Sequence, residues 1–266
     1  MQASDAAGVD IGYALPNDWE LGRERLELLE ACYDPTTIRI ADTLGVARGW
    51  RCLDAGAGSG SFPRWLASRV RAEGAVVAAD LDVSLLDGAP GLEVRRIDLE
   101  RDELPQEEFD LVHTRLVLMH LPTRDEVLRR LAAAVRPGGV LMIEEDDVHP
   151  VMATAGGAYL EAWRAFAVTM RRAGTDPEWA RALPERLGAL GLVDIGAEVS
   201  GQLFRGGSDW ARFWSLTWLQ LRSRIVARGT PAKVIDDGRS ALEDESRWFH
   251  GSETVIVWGR RPAARR

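Results

Sequence analysis

The chain has 266 residues, of which 46% are hydrophobic and 28% charged, and its formal net charge is −8. This composition predicts a packed core, and the acidic balance excludes the broad basic surface of a nucleic-acid-binding protein. No apolar run approaches the roughly 20 residues that cross a bilayer, and the first residues do not resemble a signal peptide. Because only two cysteines are present, we expect a reduced, cytoplasmic protein without membrane attachment.

The first 48 residues predict helices. Asn17, with Glu20 three positions later, is typical of a helix start. Pro35 lacks an amide hydrogen and is expected to end this helix, and a second helix from Thr36 is expected to stop at Gly45.

From residue 49 onward, short apolar runs alternate with helical segments. Strands are predicted over residues 50–54, 75–79, 92–97, 109–112 and 140–143, and helices over 62–70 and 123–135. Strands and helices that alternate at this spacing predict an α/β fold with a parallel sheet covered by helices on both faces.

The pattern changes after Pro150. Helices are predicted over 159–170, 178–190 and 208–225, with strands over 192–204 and 254–258, and six of the ten tryptophans fall within 151–250. Aromatic residues at helical spacing are typical of packing, although aromatic walls also suit a flat apolar ligand. We interpret 1–266 as a single domain: a helical segment (1–48), a core (49–150), an aromatic-rich helical lid with a sixth strand (151–250), and a last strand and tail (251–266).

Gly56, Gly58 and Gly60 form a glycine-rich turn directly after the first core strand. Glycines in such a turn allow the backbone to bend tightly and approach a ligand closely. Their spacing at every second residue differs from the dinucleotide pattern Gly-x-Gly-x-x-Gly, and no Gly-Lys-Ser/Thr follows, so a P-loop is excluded.

Carboxylates end each of the first three predicted strands. Asp54 is placed to accept a hydrogen bond from a ligand ammonium, Asp80 from ribose hydroxyls and Asp98 from an adenine amino group. Parallel strands bring these ends to one crevice, which is where open sheets bind ligands. The expected ligand is an adenosine with a cationic amino-acid tail and no phosphates.

These features, together with 109–112 and the Arg-Pro-Gly-Gly segment at 136–139, resemble the ordered motifs of class I S-adenosylmethionine-dependent methyltransferases. Within that class the chain is similar to the ubiquinone/menaquinone-type and bacterial natural-product enzymes, well over residues 11–150 and more loosely over the last two strands. The resemblance implies a doubly wound, seven-stranded, mostly parallel sheet of order 3-2-1-4-5-7-6 with an antiparallel last strand. It also implies S-adenosylmethionine as cofactor, with contacts from Asp54, Gly56, Gly58, Gly60, Asp80, Leu81, Asp98, Leu99, Thr114 and Arg115.

Two residues of the first helix are further candidates for cofactor binding. Trp19 and Arg23 are predicted to close over the cofactor, with the arginine pairing with its carboxylate. The alternative is a helix that is anchored by the tryptophan and leaves its arginines exposed.

Candidate bases are few, and an activated methyl donor requires one only when the acceptor holds its proton at neutral pH. His120 is the first candidate, because related enzymes place a histidine in this region towards the acceptor; a packed, hydrogen-bonded histidine is the alternative. His149 is the second. His113 is interpreted as a structural residue near the cofactor, and His250 as structural or surface.

An acidic run, Glu144-Glu145-Asp146-Asp147, ends the fifth predicted strand. Alternation along a strand sends Glu144 and Asp146 to one side and Glu145 and Asp147 to the other. Asp146 is predicted as a further catalytic carboxylate, a solvated rim is the alternative, and no metal site is predicted.

The sequence therefore predicts methyl transfer from S-adenosylmethionine to a small aromatic or polyketide-like acceptor in natural-product biosynthesis. It leaves O-, N- and C-methylation open. One alternative is cyclisation or rearrangement with bound cofactor and no methyl transfer, and another is a non-catalytic partner protein. A nicotinamide oxidoreductase is disfavoured by the glycine spacing. No nucleic-acid or membrane partner is expected, and a homodimer remains open.

Overall fold

The computed structural model describes Leu15 and residues 19–263. Within that part, seven strands form one sheet: β1 (Arg51–Ala55), β2 (Ala75–Asp80), β3 (Leu92–Arg96), β4 (Phe109–Arg115), β5 (Val135–Asp147), β6 (Val193–Arg205) and β7 (Trp248–Arg260). Their order is β3-β2-β1-β4-β5-β7-β6, and β7 runs antiparallel to both of its neighbours. The predicted fold class and strand order are confirmed.

Eight α-helices surround the sheet in the described part of the chain: α1 (Gly22–Thr43), α2 (Ser61–Val70), α3 (Arg124–Ala134), α4 (His149–Thr154), α5 (Gly157–Arg172), α6 (Leu183–Ala189), α7 (Asp209–Ala227) and α8 (Ala232–Leu242). Two 3₁₀ turns cover Leu118–His120 and Trp179–Ala182. The sequence did not predict α4 or α8, and the predicted helix start at Asn17 lies outside the described residues. None of the described helices has the length and apolar composition needed to cross a bilayer.

Alternate residues of the central strands supply two separate cores. Val77 and Leu141 belong to a buried cluster that includes residues of α3 and α6. Their chain neighbours Val76 and Met142 belong to a second cluster with residues of α1 and α2. Burial on both faces explains why these strands read as continuous apolar runs rather than as alternating ones.

Pro35 lies inside α1, so the prediction that it ends the helix is wrong. The Tyr33 hydroxyl donates a 2.8 Å hydrogen bond to Asp146, and the Thr37 hydroxyl donates one of 3.0 Å to Glu144. These buried contacts, one on each side of Pro35, hold the helix on the sheet and offset the backbone hydrogen bond that proline cannot make.

The aromatic residues after Pro150 form the core of a helical layer built by α5, α7 and α8. The side chains of Trp163 and Trp218 are fully buried. The Trp163 and Trp214 ring centroids lie 4.2 Å apart, and Tyr159 packs against Trp218 at 5.7 Å. This arrangement favours packing as the main reason for the tryptophan excess of this segment.

Candidate active site

The glycine loop joins β1 to α2 and is fastened to the end of β2. Gly56 has a φ of +86°, and a side chain there would overlap Val117, so this position requires glycine. The Gly56 amide donates to the Ala79 carbonyl at 2.7 Å, and the Gly58 amide donates to Asp80 at 2.9 Å. The loop therefore lies directly against the carboxylate that the sequence assigns to ribose binding.

Asp80 and Asp98 lie at neighbouring strand ends. Burial raises the pKa of Asp80, and hydrogen bonds from the Asp82 and Gly58 amides act against that shift. Asp98 is half-buried and accepts a hydrogen bond from the Glu100 amide at 2.9 Å. Leu99 is buried, whereas Leu81 is exposed. These positions are compatible with their predicted cofactor contacts, which stay predictions.

Asp54, His113 and Glu144 form a buried chain across three adjacent strands. The His113 Nδ1 atom lies 2.6 Å from Asp54 Oδ1, and its Nε2 atom lies 3.0 Å from Glu144 Oε1. Burial alone would lower the pKa of His113, but the two carboxylates outweigh it and raise the pKa to about 9. The imidazole is thus a cation at neutral pH, which donates one N–H to each carboxylate.

Three buried hydroxyls around the loop have no hydrogen-bond partner among the described residues: those of Ser59, Ser61 and Thr114. A buried hydroxyl without a hydrogen-bond partner is unfavourable, so these three groups are available to bind a polar ligand. The polar edges of an adenosyl amino acid suit such groups, and the residues therefore fit the implied cofactor.

α1 covers this edge of the sheet. A side chain added at Gly58 would meet Leu26 first. Glu30 accepts a 3.0 Å hydrogen bond from the Ser61 amide. Trp19 is half-buried and Arg23 exposed, and their predicted contacts with the cofactor stay predictions.

Arg115, another predicted cofactor contact, is directed at α1. Its guanidinium pairs with Asp34 at 2.9 Å and donates to the Thr37 hydroxyl at 2.8 Å. Since this guanidinium already has protein partners, its predicted contact with the cofactor stays a prediction.

The acidic run is buried, so the solvated-rim alternative is wrong. Glu144 and Asp146 face α1, while Glu145 and Asp147 face the other side, as strand alternation predicts. Asp146 accepts hydrogen bonds from Tyr33, Ser252 and Thr254. Burial raises its pKa to about 6 despite these bonds. Three donors already occupy this carboxylate, which suits a structural role better than the predicted catalytic one.

Glu145 and Asp147 bind protein groups on the opposite side of β5. Glu145 accepts hydrogen bonds from the Leu118 and Val117 amides at 2.7 and 3.2 Å, and burial raises its pKa to about 8. Asp147 pairs with Arg181 at 2.6 Å. Among the described residues no group of three or more acidic, histidine or cysteine side chains has the arrangement of a metal site.

The two candidate histidine bases occupy different environments. His120 lies in the 3₁₀ turn after β4, and its Nδ1 atom lies 2.9 Å from the Thr175 hydroxyl. Burial, together with the charges of Arg25 and Arg124, lowers its pKa to about 4, so the ring is neutral at pH 7. His149 begins α4 with an exposed side chain, and the structure does not bring it together with the glycine loop.

The sequence did not identify Glu30, Tyr33 and Thr37 as residues of this site. All three lie on one face of α1. Their spacing of three and four residues is the signal that would have identified this face. It also missed Glu144, although strand alternation pairs it with Asp146.

Comparison with known proteins agrees with this geometry. A family model described as a methyltransferase domain matches residues 53–143. The chain is 33% identical over 128 residues to the ubiquinone/menaquinone biosynthesis C-methyltransferase UbiE of Idiomarina loihiensis, covering 44% of this chain and 51% of the relative. It is 31% identical over 137 residues to the methyltransferase GfsG of Streptomyces halstedii, covering 48% and 49%. The chain thus spans about half the length of these relatives.

A solved structure resembles almost the whole chain. Phosphoethanolamine N-methyltransferase 2 of Haemonchus contortus, in complex with phosphomonomethylethanolamine and S-adenosylhomocysteine, superposes with a TM-score of 0.59 at 18% identity, covering 91% of this chain and 59% of that one. At this identity the likeness concerns the fold. The family match over residues 53–143, the fold and the glycine loop make this chain similar to class I S-adenosylmethionine-dependent methyltransferases, in particular to the ubiquinone-type and natural-product enzymes.

Proposed function

We propose that this protein transfers the methyl group of S-adenosylmethionine to a small aromatic or polyketide-like acceptor. The observation that carries the proposal is the conjunction of Asp54, the glycine loop and Asp80 at one edge of the sheet. Carboxylates at this place suit a ligand that bears an ammonium and ribose hydroxyls, and would repel a pyrophosphate.

The bound cofactor supplies an activated methyl group on a sulfonium. The protein's part is therefore to align an acceptor atom with that methyl and to keep water out. His120 ends the 3₁₀ turn Leu118–His120, which follows β4. Its Nδ1 atom lies 2.9 Å from the Thr175 hydroxyl, and an imidazole in this turn can take up the proton of a substrate hydroxyl or acidic carbon.

The choice of a small acceptor is supported by the relatives and by the acidic charge balance of the sequence. One relative is named for ubiquinone and menaquinone biosynthesis, and the net charge of this chain is −8. Both favour a small neutral or aromatic acceptor over a nucleic acid.

Cofactor binding is tested by calorimetry with S-adenosylmethionine and S-adenosylhomocysteine. We expect Asp80→Ala to weaken binding by about tenfold or more, because a charge-assisted hydrogen bond to ribose is lost. The matched control is Asp87→Ala, an exposed acid seven residues further along the chain. Equal binding by both variants, or no binding by the wild type, would refute the proposal.

Methyl transfer itself is tested by mass spectrometry of products from a panel of phenols, quinols and polyketides. A gain of one methyl together with release of S-adenosylhomocysteine is the expected result. Conversion of a substrate without gain of mass would instead support cyclisation or rearrangement.

A further inference from the structure

His113 is not among the residues predicted to contact the cofactor. Its own contacts support an inference about cofactor binding that rests on the proposed function. His113 lies on β4, is 1% exposed, and has carboxylates at both ring nitrogens. The Phe62 ring from α2 packs on the imidazole with centroids 4.4 Å apart. The ring is therefore held from three sides and has no freedom to reorient.

Asp54 uses its two oxygens differently. Oδ1 is bound by His113, whereas Oδ2 has no hydrogen bond among the described residues. Asp54 ends the strand that leads into the glycine loop, so Oδ2 is the oxygen left for a ligand. Because one oxygen of this carboxylate is fixed by a hydrogen bond, the other oxygen points in a defined direction.

Glu144, at the other end of this row of hydrogen-bonded side chains, is also held in place. Glu144 accepts from His113 with Oε1 and from the Thr37 hydroxyl with Oε2. Arg115 donates to the same Thr37 hydroxyl and pairs with Asp34, both on α1. The charged groups around His113 are thus Asp54 from β1, Glu144 from β5 and, beyond Glu144, Arg115; α2 contributes an uncharged ring.

We propose that His113 is a positioning residue that orients Asp54 to receive the ammonium group of the cofactor's amino-acid tail. It does not touch the cofactor or the reacting atoms. Its effect is confined to ligands that carry this ammonium, because Asp54 Oδ2 is the atom that it positions.

Two substitutions separate this role from general support of the fold. The side-chain amide of His113→Asn takes the place of Nδ1 and can still donate to Asp54. That of His113→Gln takes the place of Nε2 and can donate to Glu144. Each variant loses one buried contact and keeps the other, which makes them matched controls for one another. His250→Gln, on an exposed side chain of β7, controls for the substitution itself.

Affinity is measured by calorimetry for S-adenosylhomocysteine, which has the amino-acid tail, and for 5′-methylthioadenosine, which lacks it. We expect His113→Gln to weaken S-adenosylhomocysteine binding by about tenfold, and His113→Asn by much less, since a hydrogen bond to a charged group is at stake. All variants should bind 5′-methylthioadenosine as the wild type does. Equal losses in the two variants, or for the two ligands, would overturn the proposal.

A measurement on the wild type keeps the proposal testable if the variants do not fold. The imidazole ¹⁵N resonances of His113 should show both nitrogens protonated at pH 7, and should shift when S-adenosylhomocysteine binds but not when 5′-methylthioadenosine does. Unchanged resonances with a bound amino-acid tail would exclude the positioning role. Failure of the wild type to bind either ligand would instead count against the proposed function.

Discussion

At the scale of single residues, His120 is the side chain that we propose for proton chemistry with the acceptor. Its lowered pKa, about 4, makes it a neutral hydrogen-bond acceptor at pH 7. We expect His120→Ala to reduce single-turnover rates by about 10²-fold or more, the usual contribution of a positioned base. Cofactor affinity should stay within about threefold of the wild type, because the ring faces Thr175 rather than the glycine loop.

Thr175→Val is the matched control for that measurement. It removes the hydrogen bond to Nδ1 but leaves the imidazole in place, so a smaller loss of rate is expected. Turnover that is unchanged in His120→Ala would remove this histidine as the base.

At the scale of elements, α1 is held to the sheet by the Tyr33–Asp146 contact. Tyr33→Phe keeps the ring and removes the hydroxyl, which donates to Asp146 and accepts from Gln202. We expect it to lower the free energy of unfolding by about 1–3 kcal/mol, because buried polar groups lose a partner. Urea denaturation checks this value. Arg39 lies on the same helix and forms an exposed ion pair with Glu198 of β6. Arg39→Ala removes this pair and should lower the free energy of unfolding by less than about 1 kcal/mol.

The 3₁₀ turn that carries His120 depends on Glu145. Glu145→Gln preserves an oxygen that can accept from the Leu118 and Val117 amides, and it needs no proton on folding, so the free energy of unfolding at pH 7 should not fall. Glu145→Ala leaves the buried Leu118 amide and the partly buried Val117 amide without that acceptor and should cost about 2 kcal/mol or more. Denaturation of the two variants side by side tests the role of the carboxyl oxygen; equal stabilities would contradict it.

Elements also show where sequence reasoning succeeds and where it stops. The core strands and the glycine loop were predictable because apolar runs, turn glycines and strand-end acids are local signals. Pro35 was misread, because the contacts that carry α1 through it come from Glu144 and Asp146, more than 100 residues away. The role of His113 depends on neighbours from two other strands, and no local pattern reports such a pairing.

At the scale of the whole molecule, the aromatic layer and the acidic core have different consequences for stability. The core of the layer formed by α5, α7 and α8 is built of apolar and aromatic side chains. The buried groups between β1, β4, β5 and α1 are titratable, and they include His113 and Asp146, whose pKa values are raised to about 9 and about 6. Glu145, on the opposite side of β5, has a pKa raised to about 8. The part of the pH dependence of unfolding that comes from His113 therefore reports on the cofactor edge of the sheet.

The stabilising contribution of His113 depends on pH. Because the pKa of His113 is raised from 6.5 to about 9, the folded protein keeps a proton that the unfolded chain releases. Its stabilising contribution is full below pH 6.5 and is lost as the pH rises through 9, at about 1 kcal/mol per pH unit. Glu145 acts in the same direction between 4.5 and about 8. In urea denaturation, the wild type's excess in the free energy of unfolding over His113→Asn should therefore be smaller at pH 9 than at pH 6.5. An advantage that stays constant would mean that His113 is not a cation in the folded protein.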